Sequence, residues 1–342
     1  MDNSIIDKLN CFIDLHIHLD GSLPFETVKH LFEMNKMSTN FTDDELKMLL
    51  SVERTSKSRD EYLSKFDLPL SLLQTQKSIE TAVFELKEKL KSDGLIYAEI
   101  RFAPQRHTRR GLTIDQVIRA ALRGQAKSDL KSNLIIALVR GDNNDEYNYE
   151  TIIEAKKYLG HGICGFDLEG NEAKYPIENF EKFFKPLGNE LTAFTIHAGE
   201  TTGPKNVETA ISFGARRIGH GIRAIESNAT MKLIKDKNIA LEICPTSNLN
   251  TGVVEDLKDY QFKGLINFGI RLTINTNNMT VSNTNIKHEF KVLNNEFNLN
   301  EILLKNLLMN SVRASFASPN IRVYMENEIN KQFANLKKNI EE

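Results

Sequence analysis

The chain has 342 residues, 40% of them hydrophobic and 26% charged, with a formal charge of −2 at pH 7. So even a balance gives no electrostatic reason to expect a nucleic acid or an anionic membrane as partner, and no apolar run approaches the roughly 20 residues that span a bilayer. The expected partner is a small molecule.

The opening MDNSIIDKLNCF lacks the basic flank and long apolar stretch of a secretory signal, so the expected compartment is the cytoplasm. CFIDLHIHL reads as the first strand and PFETVKHLFEMN as a helix, after which about Met37 to Thr75 reads as a long helical insertion. SIETAVFELKEKLKSDG predicts a helix ending at Gly94, and GLIYAEIRF predicts the second strand. The pattern then alternates: helix TIDQVIRAALRGQAKSDL, strand NLIIALVR, helix NYETIIEAKKYLG closing at Gly160, strand GICGFDLEG and helix IENFEKFFKPLG. Four more apolar runs, LTAFTIHAG, RRIGHGI, NIALEICP and IRLTINT, complete eight strands, and further helices follow about Asn298. Parallel strands need helical crossovers and eight of them close, so the expectation is a (β/α)8 TIM barrel. With no repeat or flexible linker, residues 1–342 are expected to form a single domain. Cys11, Cys164 and Cys244 are odd in number, far apart and set in apolar stretches, which predicts buried thiols rather than a disulfide or a nucleophile.

Polar residues interrupt the strands at one level. His16 and His18 are two apart on a strand, so their side chains share a face. They stand at the C-terminal end of the first strand, and the corresponding ends of later strands carry His197, His220 and the adjacent pair Asn277 and Asn278. Four of the chain's eight histidines therefore fall at strand ends, which predicts a convergent metal site with three imidazole ligands. Glu200, three residues beyond His197, can reach the same mouth as general acid or base; a solvated loop glutamate is the competing reading. Asp14 shares the histidine face, whereas Asp20 lies past the strand and is expected in the pocket.

DLHIHLDGSLP, GLIYAEIRFAPQRH, GFDLEGNE, TIHAGE, GHGI, ALEICPTSN and INTNNMTVSN together resemble, in order and spacing, the adenosine deaminase family of metal-dependent hydrolases. The resemblance runs from about Asp14 to Asn283. It implies an eight-stranded α/β barrel holding one zinc ion and converting adenosine or deoxyadenosine to the inosine form plus ammonia. It also implies zinc ligation by His16, His18 and His197, acid/base action by Glu200 on purine N1, and orientation of the nucleophilic water by His220. Gly170 resembles the glycine whose backbone approaches the purine, and His18 and Asp20 fall in the stretch near the ribose. Leu63 and Phe66, in EYLSKFDLPLSLLQT, resemble a hydrophobic hood; ordinary core is their other reading. The other zinc deaminase class carries HxE with PCxxC, and neither occurs here.

The chain departs from the family at one place. The family reads NTDD or NTDN where this chain reads NTNN, so Asn277 stands at the position of the fourth zinc ligand, a carboxylate. An amide oxygen can still coordinate, but it brings no charge. Asn278 matches one family variant, and the resemblance implies a bond from it to purine N7; a surface turn residue is its other reading. Three functions stay open: an adenosine aminohydrolase, a silent nucleoside-binding member, or a deaminase of adenine, a modified adenosine or a nucleotide. For a nucleotide enzyme, Arg216–Arg217 is a thin phosphate signal.

Overall fold

The computed structural model describes residues 1–37, 41–53 and 58–341, with side chains as far as Leu336. Eight parallel strands alternate with helices: β1 Phe12–His18, β2 Leu95–Phe102, β3 Lys131–Val139, β4 Ile163–Glu169, β5 Thr195–Ala198, β6 Arg217–His220, β7 Ala240–Ile243 and β8 Arg271–Ile274. All eight expected strands are present, though β5 to β8 keep only four residues each. Strands covered on both faces read as nearly unbroken apolar runs, and β1 and β2 are buried along their whole length.

The strands form two four-stranded ladders, β1 to β4 and β5 to β8, in sequence order. Single parallel bridges join the ladders, Ile17 to Asn277 at one seam and Phe166 to Phe194 at the other. At the first seam His18 N donates to Asn277 O at 2.8 Å and Asn277 N donates to His16 O at 2.8 Å. Asp14 reinforces that seam by accepting from the Thr276 backbone N–H at 3.0 Å and the Thr276 hydroxyl at 2.7 Å. The closure is thus an α/β barrel whose first seam coincides with the NTNN turn.

The helix Gln76–Ser92 shows how the outer layer forms. Thr75 accepts from the Ser78 N–H at 3.1 Å to start it, and its buried Ile79, Val83, Leu86 and Leu90 recur at helical spacing. It stops before Gly94, whose φ of +90° continues no helix. The expected end at Gly160 is displaced: that helix is Asp145–Lys156, and Gly160 lies in the turn that leads into β4. The insertion after β1 contains the helices Asp43–Leu50, Arg59–Ser64 and Asp67–Leu72; residues 38–40 and 54–57 within it lie outside the described residues. Past Asn298 come the helices Glu301–Ala314 and Pro319–Glu341. Cys11 and Cys244 are buried, Cys164 is partly exposed, and all three are free thiols. Among the described residues no helix is long and apolar enough to cross a membrane.

Candidate active site

Below the histidines the barrel is filled by charge rather than hydrocarbon. Arg101, on β2, donates to Asp167 of β4 at 2.7 Å and to Glu242 of β7 at 2.8 Å; all three are fully buried. Arg217 donates to the other oxygen of Glu242 at 2.5 Å and pairs with Glu99 at 2.6 Å. The two guanidiniums hold Glu242 down at about 2 against the upward push of burial. A buried charge survives only when paired and hydrogen-bonded, and this network forms the floor on which the site rests.

Three of the imidazoles at the next level each stand on a carboxylate. His16 Nδ1 is 2.8 Å from Glu242 Oε2, His197 Nδ1 is 2.9 Å from Asp167 Oδ2, and His18 Nδ1 is 3.2 Å from Glu169 Oε2. A carboxylate at Nδ1 places the neutral ring's proton there and leaves the Nε2 lone pair free, the tautomer a metal needs. The Nε2 atoms of His18 and His197 face each other at 3.3 Å, and His16 Nε2 is buried without a partner. One ligand atom from each of His16, His18 and His197 lies within 4.8 Å of the others. Two lone pairs that close repel unless a cation joins them, so the residues present fit a zinc ion, which takes imidazole nitrogens at about 2.0–2.1 Å. Burial, then Arg101 and the neighbouring histidines, push the His16 pKa well below its ordinary value, so it stays neutral. Burial also acts on His197, but Asp167 offsets it and the net direction is upward. Asp167 itself is held well below the usual carboxylate range, because His197 and Arg101 overcome its burial. Gly219 admits this crowding: a Cβ there would lie 3.2 Å from both His16 Cε1 and His197 Cα.

Asn277 joins the cluster through its backbone. The seam bonds hold it beside His16 and His18, in the left-handed region with φ +62°, which asparagine tolerates better than most residues. Its Nδ2 donates to Ser247 Oγ at 2.6 Å, and its Oδ1 is buried without a partner. His220 ends β6, also at positive φ (+60°), and its Nδ1 is 3.1 Å from Asn248 Nδ2. Asn248 Oδ1 in turn accepts from Tyr260 at 3.1 Å, so the Asn248 amide donates and the neutral His220 ring carries its proton on Nε2. That atom lies 3.8 Å from Glu200 Oε1. Burial lowers the His220 pKa and Glu200 opposes the effect.

The loop bearing Glu200 is tied down by Glu172. This carboxylate accepts from the backbone N–H groups of Gly199 at 2.5 Å, Glu200 at 3.2 Å, Thr201 at 3.0 Å and Thr202 at 3.3 Å. Those bonds outweigh burial and hold its pKa below the ordinary glutamate value.

A cavity of about 370 Å³ opens above the histidines, within the range that encloses small ligands. Of the residues singled out in the sequence, His18, His197, His220, Glu200, Gly170, Asn277 and Asn278 line it, as do Leu63 and Phe66. Leu63 is 49% exposed, so it is not ordinary core but part of a cover over the opening. Gly170 has φ +115°, and a Cβ there would sit 2.9 Å from Arg140 Cβ, so only glycine keeps this wall in place. Asp20 is buried close to His18, Glu169 and Arg106 of the cavity wall, and burial together with Glu169 raises its pKa. Arg216–Arg217 is no phosphate site, since Arg217 is consumed by Glu99 and Glu242 while Arg216 donates to Leu191 O. The arginines on the cavity wall are instead Arg59, Arg106, Arg109 and Arg140.

The adenosine deaminase family model matches residues 12–332. An adenosine deaminase of Haemophilus ducreyi is 44% identical over 315 residues, covering 90% of this chain and 92% of that protein. The chain belongs to the adenosine deaminase family. It is therefore an aminohydrolase of a metal-dependent family, and its fold has solved relatives. An adenine deaminase from Arthrobacter aurescens superposes with a TM-score of 0.84 at 22% identity, over 95% of this chain and 99% of that one. An amidohydrolase from Burkholderia ambifaria, with bound zinc, superposes with a TM-score of 0.85 at 17% identity, over 98% and 94%. At those identities the likeness is one of fold. Within this adenosine deaminase family member, the residues that sequence reasoning left without a role are Glu242, Asp167, Glu169, Glu172, Tyr62 and Ser247. Asp167 and Glu169 carried a signal: two apart in an apolar strand, like His16 and His18, they had to share the interior face.

Proposed function

We propose that this chain hydrolyses adenosine and 2′-deoxyadenosine to inosine and 2′-deoxyinosine, releasing ammonia, with one zinc ion per chain held by His16, His18, His197 and the Asn277 carbonyl. The observation that carries this reading is the trio of imidazoles, each backed by a carboxylate, whose free Nε2 atoms gather beneath Glu200 and His220. The 44% identity to a protein named adenosine deaminase supports the nucleoside as substrate. A bound zinc ion supplies Lewis acidity that brings water to a pKa of about 7.

The chain's own groups provide the rest. Glu200, as carboxylic acid, delivers a proton to purine N1 and makes C6 electrophilic; as carboxylate, it takes the proton of the attacking water and passes it to the departing amine. His220, with its proton on Nε2, aligns that water by hydrogen bonding. In this reading Gly170 and Asn278, which line the cavity, border the base and His18 the ribose, while Leu63, Phe66 and Leu70, also on the cavity wall, shield the reaction from bulk water.

A second reading has its own support. Arg59 and Arg109 on the cavity wall suit an anionic substituent, as on a nucleoside 5′-monophosphate, whereas Arg106 pairs with Glu169 and Arg140 donates to Tyr175 O and His197 O. Turnover of adenosine, deoxyadenosine, adenine and AMP by the zinc-loaded protein separates them: the proposal requires the two nucleosides to lead in kcat/KM, and preference for AMP or adenine would replace it. Inosine binding with no turnover of any of the four would identify a silent binder.

A further inference from the structure

One buried chain of hydrogen bonds runs from the histidine cluster to the cover over the cavity. Asn277 Nδ2 is 2.6 Å from Ser247 Oγ, Ser247 Oγ is 3.2 Å from the Tyr62 hydroxyl, and the Tyr62 hydroxyl is 2.9 Å from Ser282 Oγ. Asn278 Nδ2 reaches the same Tyr62 oxygen at 3.0 Å. Tyr62 belongs to the helix Arg59–Ser64 of the insertion, and Ser247 follows β7, so the chain ties three parts of the barrel rim together.

Hydrogen counting leaves two self-consistent directions. The four contacts need four hydrogens, and the three hydroxyls own one each, so at least one amide must donate into the chain. The cavity end decides which. A cation among His16, His18 and His197 repels an amide NH2 and attracts a carbonyl oxygen, which turns Asn277 Oδ1 toward it and Nδ2 away. Nδ2 then donates to Ser247, the Ser247 hydrogen passes to Tyr62, and the Tyr62 hydrogen passes to Ser282. The second lone pair on the Tyr62 oxygen accepts from Asn278. Every contact is satisfied in that direction, with Asn277 Oδ1 buried and unpartnered beside the imidazoles; the reversed chain also satisfies them but points the amide hydrogens at the cation, which excludes it.

We propose that Ser247 and Tyr62 are positioning residues that hold the Asn277 amide carbonyl-first toward the divalent cation. The inference rests on the zinc site proposed above. A carboxylate needs no such device, because its two oxygens are equivalent. An amide does, because its two ends carry opposite partial charge, and a flipped amide would present hydrogens to the metal. Where a carboxylate is expected, this chain thus carries a neutral ligand whose outward-facing Nδ2 finds a buried acceptor in Ser247.

The test is zinc affinity, measured on the full chain by competition with a chromogenic chelator, with Ser247→Ala made in both the Asn277 chain and an Asn277→Asp chain. Loss of the acceptor should weaken zinc binding about tenfold or more in the Asn277 chain and by less in the Asn277→Asp chain, where there is no amide to flip. Ser247→Thr, which keeps the hydroxyl, should retain the affinity, and Tyr62→Phe should reproduce part of the loss. The visible spectrum of the cobalt-substituted protein should change with Ser247→Ala in the Asn277 background alone. Equal losses in both backgrounds, or no loss in either, would overturn the inference. Inosine binding, followed on the same proteins by calorimetry, reports folding and the pocket independently. A chain that binds inosine but takes up zinc only after Asn277→Asp overturns this inference and leaves the nucleoside pocket standing; one that binds neither overturns the proposed function too.

Discussion

His16 Nδ1 and Glu242 Oε2 lie 2.8 Å apart with both side chains fully buried, and the same Glu242 oxygen also accepts from Arg101. The His16 ring is therefore oriented by a carboxylate that two arginines keep ionised. Glu242→Gln should weaken zinc binding by roughly 10- to 100-fold, the usual cost of losing a partner behind a ligand. Because it also strands Arg101 and Arg217, it should lower stability by about 3 kcal/mol or more. Chelator competition and urea unfolding of the same variant check both.

Asn277→Asp should raise zinc affinity by at least about tenfold, since a carboxylate brings the charge that the amide lacks, and should raise kcat with it. The cavity should keep its inosine affinity, because the two side chains have nearly the same volume. Metal content per chain and steady-state kinetics of the two forms give the comparison.

Glu172 does not line the cavity, yet it holds four successive backbone N–H groups around Glu200. Glu172→Gln should reduce kcat with little change in inosine binding, because one end of an amide cannot accept those bonds. Glu200→Gln should cost on the order of 10² to 10⁴ in kcat while inosine still binds. A Glu172→Gln variant with normal kcat would show that the loop holds its shape unaided.

Much of this was legible in the sequence, and the reasons are physical. Parallel barrel strands are buried on both faces, so β1 to β8 stood out as apolar runs, and histidines two apart or at strand ends marked the rim. The carboxylates beneath them were harder to read. Glu242 sits in ALEICP and Asp167 in GFDLEG, where a single charge in an apolar run looks like a register edge until the barrel shows it meeting Arg101. Glu172 and Ser247 act through backbone N–H groups and a hydroxyl, contacts that leave no periodic trace.

Glu289 supplies a pH signature away from the histidines. It is fully buried, accepts from Thr246 N at 3.0 Å and from the Thr284 hydroxyl, and burial raises its pKa to about 7. An acid raised in the folded state binds its proton more tightly there than in the unfolded chain. Its contribution is therefore fully present below the unfolded value near 4.5 and is lost as pH rises through about 7. The span amounts to about 3 kcal/mol at most. Urea midpoints between pH 5 and 8 should fall for the natural chain and fall less for Glu289→Gln; parallel curves would remove Glu289 as the cause.

The most direct measurement is ammonia release from adenosine by protein stripped with a chelator and then returned to zinc, with bound metal counted on the same sample. The expected result is no release from the stripped protein, recovery as zinc approaches one per chain, and no recovery in His197→Ala. Full activity without metal, or an unaltered His197→Ala enzyme, would contradict a zinc site built on His16, His18 and His197.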